Sequence, residues 1–238
     1  MSLAKPFNTR PLYQQVADEF IQRIVSRRWA PGQSIENETE IARSLGISLG
    51  TVRKAFDILT EHELLERQQG KGTIVSDLEA GPMRSRFSNI VDRNGQRVVG
   101  EITIHDVELI LPSAEVAQAM SVNERTPVLH FERRRTHLGR PFMLEDVYLR
   151  VDASAQGAST ERLEAIAGAR WYGQDLATQK VEDVACEIAS ARDVELFGIS
   201  RLSSVLKLTR VILSYQSRPL ELRYARCNLA PDLVYASR

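Results

Sequence analysis

"LGISLGTVRKAF" (residues 45–56) joins a tight turn to the start of a helix. Ser48 is an N-cap residue, because its hydroxyl can accept a hydrogen bond from an orphan amide of the first turn. Beyond it Val52, Ala55, Phe56 and Leu59 fall at i, i+3, i+4 and i+7, one apolar stripe. The opposite side carries Gly50, Thr51, Arg53 and Lys54. A helix start that is small, hydroxylated and cationic on its outer side suits a polyanion whose backbone comes close.

Upstream, Tyr13, Val16, Ala17, Phe20 and Ile24 form another helical stripe with Pro11 near its start. "APGQS" (30–34) breaks it. Asn37 and Glu40 then have capping-box spacing, Ile41, Ala42 and Leu45 give a short second helix its buried side, and Gly46 suits a left-handed C-terminal residue. Two helices joined by a short Gly-containing turn make a helix-turn-helix, although such pairs also occur in unrelated proteins. Downstream, "LLERQQGKGTIV" (64–75) reads as strand, turn, strand, with Gly70 and Gly72 on either side of Lys71. Alone it would be an ordinary solvated hairpin. Beside a helix-turn-helix it is a wing whose lysine tip can reach phosphate or a minor groove.

With 238 residues, the chain is long enough for one large domain or two ordinary ones. Hydrophobic residues make up 43% and charged residues 26%, which predicts a packed core. No apolar run approaches the roughly 20 residues of a membrane span, and the N-terminus lacks an apolar signal-peptide core. The two cysteines, Cys186 and Cys227, fit reduced thiols in a cytoplasmic protein. Lysine plus arginine and aspartate plus glutamate both total 31, which excludes a bulk-basic nucleic-acid binder but not a local patch. Residues 1–76 hold ten cations and nine acids, so charge alone does not point to DNA.

The expected domains are 1–76, a linker at 77–85 containing Gly81-Pro82, and 86–238. The second contains an internal repeat. Ala114 aligns with Ala191, Val122 with Ile199, Val128 with Val205 and Arg133 with Arg210, all 77 residues apart. After one extra residue, "RPFMLEDVYL" meets "RPLELRYARC". Strands are expected near 101–110, 127–137, 142–150, 178–187, 204–214 and 219–228, with a helix near 160–167. Hairpins rather than long crossovers imply an α+β domain with a mainly antiparallel sheet. Leu129, Phe131, Arg133 and Arg135 share one strand face, as do Leu206, Leu208, Arg210 and Ile212. Arginines that continue an apolar face need partners. The partners are either carboxylates such as Glu145 and Glu221 or a bound anion.

"PLYQQVADEF", "APGQSIENETEIARSLGIS" and "GTVRKAFDILTEHELLERQQGKGTIV" together resemble the winged-helix domain of the GntR family of bacterial transcription regulators, from about Pro11 to Val75. The resemblance implies a third helix in the major groove, a flanking wing and a dimer on a palindromic operator. By position it makes Glu38, Ser48, Gly50, Thr51, Arg53, Lys71 and Gly72 the DNA-binding residues. Arg53 is the side chain to fork onto guanine. The chain departs from the family pattern at Glu36-Asn37, where Pro-Ser is usual, and at Thr39 and Leu49, where basic residues are common. Residues 86–238, through "VNERTPVLHFERRRTHLGRPFMLEDVYL" and "SRPLELRYARC", resemble the UTRA effector-sensing domain of the HutC subfamily. That implies a chorismate-lyase-like fold and an effector site at Arg133, Arg135, Glu145 and Glu221, joined by Arg86, Phe87, Ser88 and Tyr224. Two arginines would clamp a carboxylate or phosphate. Sugar phosphates, organic acids and amino-acid derivatives all remain open as the effector.

His62, His105, His130 and His137 lack metal-ligand spacing, and no nucleophile elbow, P-loop or dinucleotide fingerprint occurs. No cofactor is expected. The reading is a ligand-responsive repressor, cytoplasmic and homodimeric. Its rivals are a lyase-like enzyme and a DNA-binding architectural protein with a purely dimerising second half.

Overall fold

The computed structural model describes residues 10–77, 87–169 and 176–236. The chain divides into two compact units, Met1–Ala80 and Gly81–Arg238.

In the first unit α1 (Leu12–Val25) buries Val16, Ala17, Phe20, Ile21 and Ile24. α2 (Glu38–Leu45) is capped by Asn37, whose side chain accepts from the amides of Thr39 and Glu40 at 3.0 and 2.9 Å. Gly46 ends it in the left-handed conformation, φ 65°. α3 (Leu49–Glu61) starts at Ser48, which accepts from Thr51 N at 3.1 Å, and buries Val52, Ala55, Phe56 and Leu59. Phe20 meets Phe56 edge-on at 5.7 Å and Trp29 at 5.0 Å. Each such buried aromatic contributes about 1.5–3 kcal/mol by leaving water. β2 (Leu65–Gln68) and β3 (Gly72–Val75) form the wing, and a strand not foreseen, β1 (Ser34–Ile35), pairs with β3. Helix-turn-helix and wing are therefore both present.

The second unit is built on a six-stranded antiparallel sheet in the order β5-β6-β7-β10-β9-β8. These strands are β5 (Glu101–Ile110), β6 (Val128–His137), β7 (Arg140–Leu149), β8 (Ala177–Ile188), β9 (Ser204–Ser214) and β10 (Pro219–Cys227). The order reads the same from either edge. The 77-residue repeat is realised as two halves related by a local two-fold between β7 and β10, where Asp146 pairs with Tyr224. Each half has a short helix at the same place: α4 (Ala114–Met120) capped by Ser113, and α6 (Ala191–Phe197) capped by Ser190. α5 (Thr160–Gly168) lies between the halves in sequence.

Strand alternation divides the sheet into two faces. On one, α4 packs on Leu222 and α6 on Leu144 and Val205. On the other, α5 covers Leu129, Phe131 and Val147, while a two-stranded ribbon of β4 (Ile90–Asp92) and β11 (Leu233–Tyr235) covers Phe142, Met143 and Leu208. Between these covers lies the candidate site of the second unit.

Candidate functional site

In the first unit the expected DNA-reading residues lie at the starts of α2 and α3 and at the tip of the wing. Ser48 Oγ lies 2.8 Å from Thr51 Oγ1, so both hydroxyls are fixed at the N-terminus of α3, where backbone amides and the helix dipole favour an anion. Gly50 is in the first turn, and the nearest neighbour of a Cβ placed there would be Ser48 Oγ at 3.9 Å. Arg53 Nε donates to Glu38 Oε2 at 2.9 Å, and its side chain stays 61% exposed. Lys71 is exposed at the wing tip, and Gly72, with φ 87°, holds a backbone conformation that favours glycine. Both carboxylate oxygens of Glu38 accept from arginines, Oε2 from Arg53 and Oε1 from Arg67. Arg67 on β2 was missed by the sequence reading. It donates to Glu38 at 3.3 Å and to Asp57 at 2.8 Å, joining the wing to the two helices. Only the three-dimensional meeting of positions 38, 57 and 67 reveals it.

In the second unit a narrow cleft opens on the sheet face, lined by Val98, Val99, Phe142 and Met143 among others. Its walls include Arg133, Arg135, Arg210 and Arg223, with Phe87 and Ser88 on the covering side. The guanidinium groups are almost wholly buried, with side chains 5–9% exposed. Glu145 accepts from Arg133 Nε at 2.6 Å and from Arg135 Nε at 2.7 Å. Arg133 also reaches Glu221 at 3.2 Å, Arg223 is bidentate on Glu221, and Arg210 pairs with Glu182. Burial alone would raise both carboxyls. At Glu145 the neighbouring Arg133, Arg135 and Arg223 outweigh it and hold the group well below the usual range. At Glu221 the same contest, led by Arg223 and Arg133, takes the pKa from 4.5 down to about 2. Burial, opposed by Glu145, pushes Arg135 down to about 10. The carboxylates are thus ionised and the guanidiniums charged at neutral pH. Among the described residues four buried arginines face three glutamates, and Lys180 adds a half-buried cation 3.5 Å from Glu182, so cations outnumber carboxylates. Two buried atoms of this cluster, Glu145 Oε1 and Arg210 Nη2, have no hydrogen-bond partner among the described residues.

Of the expected effector residues, Arg133, Arg135, Phe87 and Ser88 come together at this cleft. Glu145 and Glu221 lie on the same face and accept from these arginines, but neither lines the cleft. The Ser88 hydroxyl donates to Val98 O at 3.0 Å and the Phe87 carbonyl accepts from Lys180 at 3.2 Å. Tyr224 does not belong to the site. It lies at an even position of β10, so alternation puts it on the opposite face, packed with Tyr148 and α4, where its hydroxyl donates to Glu115 at 2.9 Å. Arg86 falls outside the described residues. Arg210 and Arg223 were missed as site residues, although Arg210 is the repeat partner of Arg133. By the same two-fold, Arg223 occupies the position that Glu145 holds in the first half, and this exchange of charge makes the cleft positive.

Residues 12–75 match the bacterial regulatory proteins of the gntR family, and residues 96–230 match the UTRA domain. The chain is 26% identical over 229 residues to an uncharacterized HTH-type transcriptional regulator, RB1450, of Rhizobium meliloti (strain 1021), covering 94% of this chain and 92% of the relative. It is 31% identical over 143 residues to the histidine utilization repressor of Pseudomonas putida, covering 58% of this chain and 56% of that one. With the latter, then, the match spans a little over half of the relative's length. In three dimensions the chain is similar to a ligand-binding domain of a GntR-family transcriptional regulator from Bordetella bronchiseptica, with a TM-score of 0.54 at 21% identity, covering 64% of this chain and 97% of that domain. That likeness bears on the fold.

Proposed function

The chain belongs to the GntR family of bacterial transcription regulators and carries a UTRA domain, and from that premise we propose that it is a dimeric repressor released from its operator by a small anion bound at the arginine cleft. DNA binding falls to the first unit, through Ser48, Gly50, Thr51, Arg53, Lys71 and Gly72. Effector binding falls to the second, through Arg133, Arg135, Arg210 and Arg223, with Phe87 and Ser88 covering them.

The observation that carries this reading is the buried excess of positive charge. A cleft with four guanidiniums and three carboxylates is electrostatically incomplete, and burial makes that imbalance count far more than it would in water. An anionic group that accepts from the guanidiniums offsets it, and their planar forks suit carboxylate or phosphate. A ligand that binds one dimer arrangement better than another shifts the population toward it, and half-site spacing on DNA reads that arrangement.

The test is a thermal-shift screen of phosphorylated and carboxylated metabolites on the full chain. Any hit is then followed by calorimetric titration and by competition against operator duplex. A hit should bind the wild type, release it from DNA, and lose affinity in Arg210→Ala. Stabilisation by neutral compounds alone, or affinity unaltered in Arg210→Ala, refutes the anion cleft.

A further inference from the structure

An acid on a DNA-reading surface is electrostatically misplaced, yet Glu38 opens α2 at the centre of this one. Its side chain is 24% exposed and both oxygens are engaged: Oε2 by Arg53 Nε at 2.9 Å and Oε1 by Arg67 Nη2 at 3.3 Å. The same nitrogen of Arg67 donates to Asp57 Oδ1 at 2.8 Å. One carboxylate therefore ties α2 to α3 and to the wing strand β2. Exposed ion pairs add little to folding, so the consequence of this cluster lies in where it points its arginines.

Arg53 is gripped through Nε. Its two terminal nitrogens, the pair that forks onto guanine O6 and N7, are left to a partner, and the side chain is 61% exposed. Arg67 is gripped through one terminal nitrogen and is 51% exposed. It lies opposite Thr73 in the wing, one residue before the Gln68–Gly72 pair that closes the tip. Meanwhile the first turns of α2 and α3 carry Thr39 and Leu49, with no charge of their own. We propose that Glu38 is a positioning residue that presents Arg53 to a base edge, and that Arg67 is a further DNA contact, to a backbone phosphate, supplying the charge that positions 39 and 49 lack. This rests on the first unit being the DNA-binding part.

The experiment uses the full chain and a duplex that the wild-type protein enriches from a randomised library. Affinity is measured by fluorescence anisotropy across a salt series, with base preference and thermal midpoint recorded in parallel. Glu38→Gln removes a negative charge from the DNA side, so simple electrostatics predicts tighter binding. The proposal predicts the reverse: about tenfold weaker binding, with preference relaxed at the base pair that Arg53→Ala also relaxes. Arg67→Ala should weaken binding to the enriched and a scrambled duplex alike and reduce the salt slope by about one, while Arg67→Lys keeps the slope. Midpoints should stay at the wild-type value. Glu38→Gln binding as tightly as wild type or tighter, with unaltered base preference, overturns the positioning role. Arg67→Ala with an unchanged slope, or with a lowered midpoint as its sole effect, makes Arg67 a folding staple and overturns the contact. A wild-type chain that enriches no duplex refutes the DNA-binding premise itself, and the proposal with it.

Discussion

Replacing Glu145 by glutamine tests the arginine cleft most directly. The carboxylate is 1% exposed and accepts from Arg133 at 2.6 Å and Arg135 at 2.7 Å, with Arg223 3.9 Å from its other oxygen. Glutamine keeps the shape and one acceptor but removes the charge, and its amide group turns a donor toward a guanidinium. Four arginines then face two glutamates among the described residues, so the buried cation excess grows by one charge. Breaking a buried pair by removing one partner costs about 3–5 kcal/mol, because the remaining charge cannot be rehydrated. Retention of an acceptor places Glu145→Gln near the lower end, about 3 kcal/mol. For a chain of this size that lowers the unfolding midpoint by roughly 6–12 °C. Scanning calorimetry of the full chain reads it. A second arm adds sulfate: a bound anion stabilises either protein by about 2.7 kcal/mol at a hundredfold over its Kd, and the variant, with the larger charge excess, should be stabilised more than the wild type at the same sulfate concentration. A loss below about 1 kcal/mol, the value of an exposed pair, or equal stabilisation of both proteins by sulfate, would show that the cleft is effectively solvated and would refute the charge argument.

Three other outcomes follow from the same geometry. Arg53→Ala should lose about 1–3 kcal/mol of specific operator binding with little change in non-specific binding, measured by band-shift titration on enriched and scrambled duplexes. Gly100 has φ 74°, and a Cβ there would stand 2.6 Å from both Phe142 Cε1 and Thr136 O; Gly100→Ala should therefore destabilise the chain by about 2–4 kcal/mol in urea unfolding. Stability should also fall on acidification. The folded-state pKa values of Glu145 and Glu221 are depressed, so their contribution is fully present above the unfolded value near 4.5 and is lost as pH falls toward about 2. Glu221 alone accounts for roughly 3 kcal/mol across that window, and Glu221→Gln should flatten the pH dependence of the midpoint there.

Much of the fold is legible in the chain because its signals are local. The caps at Asn37 and Ser48 and the apolar stripe of α3 depend on residues within a few positions of one another. The six long strands are legible for a related reason: alternation over nine or more residues is hard to mistake, and the repeat shows it twice. The short elements are not. β4 and β11 have three residues each and exist because they pair with each other across more than 140 positions, a partnership no local pattern records.

The candidate sites divide along the same line. Sequence by itself determined which residues carry charge, which strand face Arg133 and Arg135 share, and which helix start is small and cationic, because helical and strand periodicity convert order along the chain directly into direction in space. Tertiary structure alone decided the partners: that Glu38 serves Arg53 and Arg67, that Arg210 and Arg223 join the first two arginines, and that Tyr224 faces away from them. Those are facts of register and of local two-fold symmetry. A hydrogen bond or an ion pair acts over a few ångströms of space whatever the number of residues between its ends, so the balance of buried charge exists only once the strands have chosen their neighbours.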